Sequence, residues 1–530
     1  MNRLAAVLIF LFSSCILVSC LEELGNVDKI QKTTFEPSID FPLVNSEFNM
    51  EEFLTEGESK ARITEQGGLM VLTYDDSIST PPGELFFFLP DQQSPVLSIT
   101  GPEVTFPTPG ATVTINKTLS FTFNTASGEV LDSILVKAGQ LLFQMTSTFP
   151  ADINLTVGIP TIQNQGAGFQ RDFTFVGPGT QNPTTNLAAS VFDLTGNGST
   201  TNTVTFSISA QITDKGQAIN STHRLDFSFA LDNLTFRGLF GDLGTRLIPI
   251  PSDSINVDVF NNAFGGNVTL LSPSIRLDMK NSFGLPIGFN IQNISAIKEN
   301  TSVATLSGSA LSAPANPYLL AAPSYSQIGQ SITSDIEINS GNSNLPQLIS
   351  SIPQYLAYRF QLALNPAAAS KNFVLDTSRL TIGVHLELPF HGRISALTLT
   401  KQFDFNGLGI DDPGKSKIKL KTINETPLEM SVQIYFVDTN GTVLDSLFAD
   451  RSILKGAPVD ANAFTQGASE VQMEVPVTQE KINRIEQAEL LVIQAIAFTT
   501  NSGTVPVKFS STDKLRISLG INTRVKYNLN

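Results

Sequence analysis

From Ile275 to Ile297 the chain reads IRLDMKNSFGLPIGFNIQNISAI. Ile275, Leu277 and Met279 alternate with polar residues, Asn281 to Pro286 interrupts, and Ile287, Phe289 and Ile291 alternate again. Period two is the signature of strands with one buried and one wet face. Asn, Gly and Pro in the break supply turn dihedrals and remove a ladder donor. The same plan recurs in Leu141–Ile153, broken at Ser147 and Pro150, and in Ile418–Val432, broken at Asn424 and Pro427. An eight-residue echo, GEVLDSIL at Gly128–Leu135 and GTVLDSLF at Gly441–Phe448, points to related units. These patterns predict an all-β chain of several antiparallel sandwich-like β-units with a few short helices. The central break is expected to join two paired strands, with Gly284 at positive φ and Pro286 opening the second strand.

In chain order, Phe41–Val44 reads as a short strand, and Asn49 with Glu52 forms a capping-box pattern for a brief helix. Arg62–Tyr74 reads as a hairpin turning at Gly67-Gly68. Leu85–Leu89, LFFFL, is an uninterrupted apolar run between prolines and reads as a buried strand, with a surface patch for a partner as the alternative. Val204–Ile212, Leu225–Phe236 and Leu380–Leu388 alternate cleanly. Two amphipathic helices are expected. Leu345–Leu364 places Leu348, Ile349, Ile352, Leu356, Phe360 and Leu364 on one face, with a kink at Pro353, and Gln479–Ile493 is the second. The glycine-rich 238–244 stretch marks a boundary. The expected division is a leader at 1–19, a tether at 20–36, β-rich domains at 37–245 and 246–412, and a C-terminal β-rich unit at 413–530.

The first twenty residues change the picture. Asn2 and Arg3 precede an apolar run ending Leu17-Val18-Ser19-Cys20. A basic start, a short apolar core and small residues before the cut describe a secretory signal. The run is shorter than the about 20 residues a transmembrane helix needs. Its end resembles a bacterial lipobox. That resemblance implies cleavage before Cys20, a lipid on Cys20, and anchorage in the outer membrane, facing periplasm or exterior. Glu22 and Glu23 resemble the acidic export signal of surface lipoproteins in the Bacteroidetes-type envelope. Cysteine usage fits: with Cys15 removed, Cys20 is the last sulfhydryl, which leaves no disulfide and no Cys-ligated metal.

Composition narrows the partners. Losing residues 1–19, whose sole charge is Arg3, takes the formal net charge from −15 to −16. Such acidity disfavours nucleic acid, which rewards Lys and Arg. With 37 Phe and no Trp, the cores are expected to be built on Phe.

His385 and His391 flank the strand HLELPFH, about 20 Å apart if fully extended, which is too far for one metal. The loop Asp193–Gly198 resembles the start of an EF-hand, but Val204 stands at the twelfth position and a hairpin turn is expected. No nucleophile elbow, zincin helix, P-loop or dinucleotide fingerprint occurs, so no catalytic residue, metal ligand or cofactor is assigned. Four Asp-Ser-aliphatic triplets resemble the sites at which Bacteroidetes-type bacteria O-glycosylate exported proteins. They make Ser77, Ser133, Ser254 and Ser446 candidates, against an ordinary turn role for Asp-Ser.

The Asn-Ser-Phe-Gly-Leu-Pro-Ile run after an alternating strand resembles the strand–turn–strand of LEA-14/WHy β-sandwiches, although it lacks their Asn-Pro pair. Lipobox, tether and β-units together resemble lipoproteins of Bacteroidetes-type bacteria. The leading expectation is a lipid-anchored envelope protein with a non-catalytic binding or structural role. The alternatives are a carrier of an apolar ligand or lipid between β-units, and a glycan hydrolase using a carboxylate pair.

Overall fold

The computed structural model describes residues 34–35, 37–49, 61–196, 198, 200–257, 266–369, 371–405, 407, 416–524 and 527–528. The expected leader, Cys20 and nearly all of the expected tether lie outside them. Strand accounts for 58% and helix for 6%, in antiparallel, sandwich-like units with short helices. The chain is all-β.

The N-terminal body is a large sheet. Its central strands run in the order Arg224–Asp242, Val130–Ser147, Val191–Asp193, Asp152–Asn164, Thr203–Thr213 and Thr112–Thr122. Alternation dictates the buried face: Val204, Phe206, Ile208, Ala210 and Ile212 all point inward. The sheet curls until Leu97–Thr100, paired to 224–242, faces 112–122, where the Lys117 Nζ donates to the Ser98 carbonyl at 2.6 Å. Phenylalanines fill the interior. Phe206 lies 5.7 Å from Phe227 and 5.2 Å from Phe229, and Phe143 lies 6.1 Å from Phe227. Edge-to-face and tilted pairs of this kind add to the area they bury.

The rest of the chain builds one plan twice. In the middle sandwich, one sheet has the order Ile332–Ile338, Ser274–Asn281, Leu380–Pro389, Leu69–Ser79 and Ala61–Gln66. Its companion sheet runs Arg246–Pro249, Tyr355–Leu364, Ile287–Lys298 and Thr301–Thr305. In the C-terminal sandwich the sheets run Ser469–Pro476, Lys417–Asn424, Lys514–Arg524, Ser38–Asn49 and Leu397–Asp404, Leu490–Phe498, Glu429–Val437, Val443–Ser446. Position by position the strands occur in the same chain order. Each sandwich takes a strand from an N-terminal arm: 69–79 in the middle one, 38–49 in the last.

The crossover between sheets is built alike in both. Asn281 and Asn424 are buried at the ends of their strands. Asn281 Oδ1 accepts from the Phe283 N–H at 2.9 Å, and its Nδ2 donates to the carbonyls of Leu285 (3.2 Å) and Ala321 (3.0 Å). Asn424 Oδ1 accepts from the Thr426 N–H at 3.0 Å, and its Nδ2 donates to those of Leu428 (2.8 Å) and Lys455 (2.9 Å). One amide thus satisfies three backbone groups where the chain leaves one ladder for another.

Several expectations are corrected. The 281–286 break does not join paired strands: 274–281 and 287–298 belong to different sheets, and Gly284 has no positive φ. The 141–153 break does not match it, since 130–147 and 152–164 lie in one sheet and Ser147 Oγ merely accepts from the Phe149 N–H. The GEVLDSIL echo marks no repeat either. Its first copy enters a central strand of the large sheet, and its second lies at the margin of the C-terminal sandwich.

Both long helices are short helices followed by strands, Leu345–Ser350 then 355–364, and Gln479–Ile485 then 490–498. A spacing of four satisfies helix and strand periodicities alike, so Leu356, Phe360 and Leu364 stay buried in either. Ile352 at φ 53° and Pro353 end the helix. Leu85–Leu89 is not a strand: a 3₁₀ turn at Gly83–Leu85 leads into it, Phe87 and Leu89 are buried, and Leu85 and Phe88 are exposed. Asn49 closes a strand, and the helix expected after it falls within residues 50–60, which lie outside the described residues.

Strand pairing also cuts across the expected segments. Within 37–245, strands 38–49 and 69–79 belong to the C-terminal and middle sandwiches, and Asn372–Leu375 from 246–412 pairs with 224–242.

Candidate functional site

The outer face of the C-terminal sheet carries a groove of about 410 Å³ running across its strands. Asp40, Pro42 and Asn45 line it from the arm strand, Ser518 and Gly520 from 514–524, Lys419 and Lys421 from 417–424, and Gln472 from 469–476. Register explains the gathering. Asn45, Ser518, Lys421 and Gln472 are successive cross-strand partners, as are Pro42, Gly520 and Lys419. Gly520 lowers the floor, and a Cβ there would come 3.0 Å from the Phe41 carbonyl. Lys419 Nζ reaches Asp40 at 2.9 Å, and Asn522 Nδ2 donates to the same carboxylate at 2.7 Å. These two contacts hold the Asp40 carboxyl below its usual range.

The equivalent sheet of the middle sandwich carries a different cluster. His385 Nδ1 meets Asp75 Oδ1 at 2.6 Å and its Nε2 meets Asp278 Oδ2 at 2.9 Å, so one imidazole bridges three adjacent strands. His391 lies on a separate strand, His391–Ser395, opposite Lys508. Burial and then the Lys508 charge lower its pKa. The structure does not bring the two histidines to one centre. Among the described residues no group of three or more His, Cys, Asp or Glu is placed to hold a metal ion.

Two of the four Asp-Ser pairs come together. Asp76 and Asp253 both act on the buried Tyr74 and Tyr358, whose phenols are pushed up by burial first and then by these carboxylates. Each carboxylate accepts from the N–H of the serine that follows, at 2.8 Å. Ser77 and Ser254 are exposed. Ser133 is half-buried in a sheet interior opposite Phe240. Ser446 is half-buried and its hydroxyl donates to the Phe448 carbonyl at 3.1 Å, while Asp445 is held by Arg484 at 2.7 Å. At Asp193 the carboxylate accepts from the Thr195 N–H (3.0 Å) and hydroxyl (2.6 Å), which is turn chemistry.

Sequence reasoning missed the groove. Its residues come from four segments, and the one local sign is Gly520 inside an alternating strand. No protein-family model matches the chain, and no curated protein matches it. Among solved structures, it is similar to a protein of Parabacteroides distasonis described as secreted, at 15% identity and a TM-score of 0.31, over 54% of this chain and 88% of that one. A structure of infectious bursal disease virus matches at 10% identity and a TM-score of 0.12, over 90% and 84%. Neither likeness carries an argument about function.

Proposed function

We propose that the chain is a lipid-anchored protein of the outer membrane, held through Cys20, with a non-catalytic binding role exercised on the outer face of its C-terminal sheet. The groove on that face supports this reading most directly. Along 514–524 its floor is backbone already spent in ladders with both neighbouring strands, so a ligand there meets side chains: Pro42 and the lysine stems as well as amides, a hydroxyl, a carboxylate and ammonium groups. The anchor adds position. The arm that follows Cys20 pairs with the last long strand, so the C-terminal sandwich is the body nearest the lipid along the chain. A carrier would need a lined tube, whereas the described interior of the N-terminal body is packed with Phe rings.

The test has two parts. Cys20→Ala should move the protein from the membrane to the soluble fraction, and equal membrane retention would refute the anchor. In intact cells, a membrane-impermeant amine reagent should label Lys421 if the groove faces the exterior, and labelling only after lysis places it in the periplasm.

A further inference from the structure

The two arm strands fill equivalent seats but are held very differently. Strand 69–79 buries Met70, Val71, Leu72 and Tyr74 and has neighbours on both sides. Among the described residues strand 38–49 stands at the edge of its sheet, and it fully buries Phe48 alone. Beyond Phe48 and the half-buried Leu43 and Val44, what holds it is a backbone ladder to 514–524 and exposed ion pairs: Asp40 with Lys419 at 2.9 Å, Glu47 with Lys514 at 2.7 Å and with Arg516 at 2.9 Å. Exposed pairs of this kind add little each. The seat itself is well made, because 514–524 is fixed by Leu515, Ile517, Leu519 and Ile521 in the core. It therefore offers a rigid strand edge with flanking cations to any extended segment bearing matching carboxylates.

We propose that this occupant is exchangeable between copies: the 38–49 arm of one molecule seats on strand 514–524 of a second. An identical arm has the right register and charge complementarity by construction, which makes exchange a low-cost route to association. The membrane anchorage proposed above supplies the concentration, since copies confined to one surface meet far more often than free ones. Exchange would also make the groove composite, with Asp40, Pro42 and Asn45 from one copy and Lys419, Lys421 and Gln472 from the other.

Asn45 and Ser518 are direct register partners with Oγ–Oδ1 at 2.9 Å, so they report the seat. Two differently tagged full-length chains, one Asn45→Cys and one Ser518→Cys, are co-expressed and mildly oxidised in membranes, with wild-type pairs as the control for Cys20. Exchange predicts a disulfide-linked pair carrying both tags, absent from wild type and from an Asn45→Cys with Gln472→Cys pair, which is out of reach. No mixed pair, together with a purely intrachain disulfide in the Asn45→Cys/Ser518→Cys double variant, overturns the proposal. If either variant fails to accumulate, Glu47→Cys with Arg516→Cys, the next outward rung, gives the same readout. Adding Cys20→Ala separates the two proposals. Fractionation reports the anchor, while the mixed disulfide in concentrated soluble protein reports exchange.

Discussion

Gly284 lies directly against the ring of Phe373. Their backbones exchange both hydrogen bonds, Gly284 N–H to the Phe373 carbonyl at 2.9 Å and Phe373 N–H to the Gly284 carbonyl at 3.1 Å. A Cβ on Gly284 would come 2.1 Å from the ring. The glycine is required by close approach, and its φ is one any residue adopts. Phe373 is itself fully buried and cannot retreat. Gly284→Ala should cost about 1–3 kcal/mol through overpacking, and Gly284→Val more. Ser282→Ala, which removes a hydroxyl shared with the Arg379 backbone, should cost about 1 kcal/mol. Thermal melts check the order, and a tolerant Gly284 would refute it.

The paired asparagines offer a second test. Replacing either Asn281 or Asn424 by Leu strands buried backbone groups, at about 1–3 kcal/mol for each group left unsatisfied. The two variants should lose similar stability in denaturant titration, because their backbone hydrogen-bond sets match. A large loss at one and none at the other would contradict the duplicated plan.

The buried Glu129, just before the strand 130–147 of the N-terminal body, pairs with the half-buried Arg246 on the 246–249 strand of the middle sandwich. Arg246 also donates to the Phe86 carbonyl at 2.6 Å and lies 4.5 Å above the Phe87 ring. Glu129→Ala leaves the half-buried Arg246 with the Phe86 carbonyl and the Phe87 ring alone and should cost about 1–3 kcal/mol. The double variant Glu129→Leu/Arg246→Met should cost less than the sum of the single changes. Additive losses would show that the two charges act independently.

Glu103 gives a pH signature. The Lys117 ammonium 2.6 Å away and the Thr100 N–H bring its carboxyl down from 4.5 to about 2. A folded-state pKa below the unfolded value contributes stability above pH 4.5, and that contribution is lost as pH falls toward 2. Wild type should therefore melt above Glu103→Gln at pH 7, and the gap should close by pH 2. A gap that persists at pH 2 would assign the effect to packing.

Asp513 works in the opposite sense. Burial raises its pKa although the Ser510 N–H and the Thr465 hydroxyl, at 2.9 and 2.7 Å, work to lower it. A raised carboxyl stabilises the fold while protonated, and that contribution fades as pH rises through its folded value above 3.8. Asp513→Asn should flatten this part of the stability profile, as read from melts across pH 3–7.

Alternation alone determined that this protein is built of strands, where most of them run and which side chains face inward. The buried Val204, Phe206 and Ile208, and the hairpin at Gly67-Gly68 with both glycines at positive φ, follow from period and turn chemistry confined to neighbouring residues. Which strands pair was decided by the tertiary structure. The seat of 38–49 beside 514–524 depends on a partner more than 460 residues away, and a polar edge strand fits many ladders equally well. The same holds for Leu356, Phe360 and Leu364, whose spacing of four suits helix and strand until burial against the companion sheet chooses. The groove belongs to that second class. Its residues share a surface only because three ladders align Asn45, Ser518, Lys421 and Gln472, and registers between distant strands are set by the core they enclose.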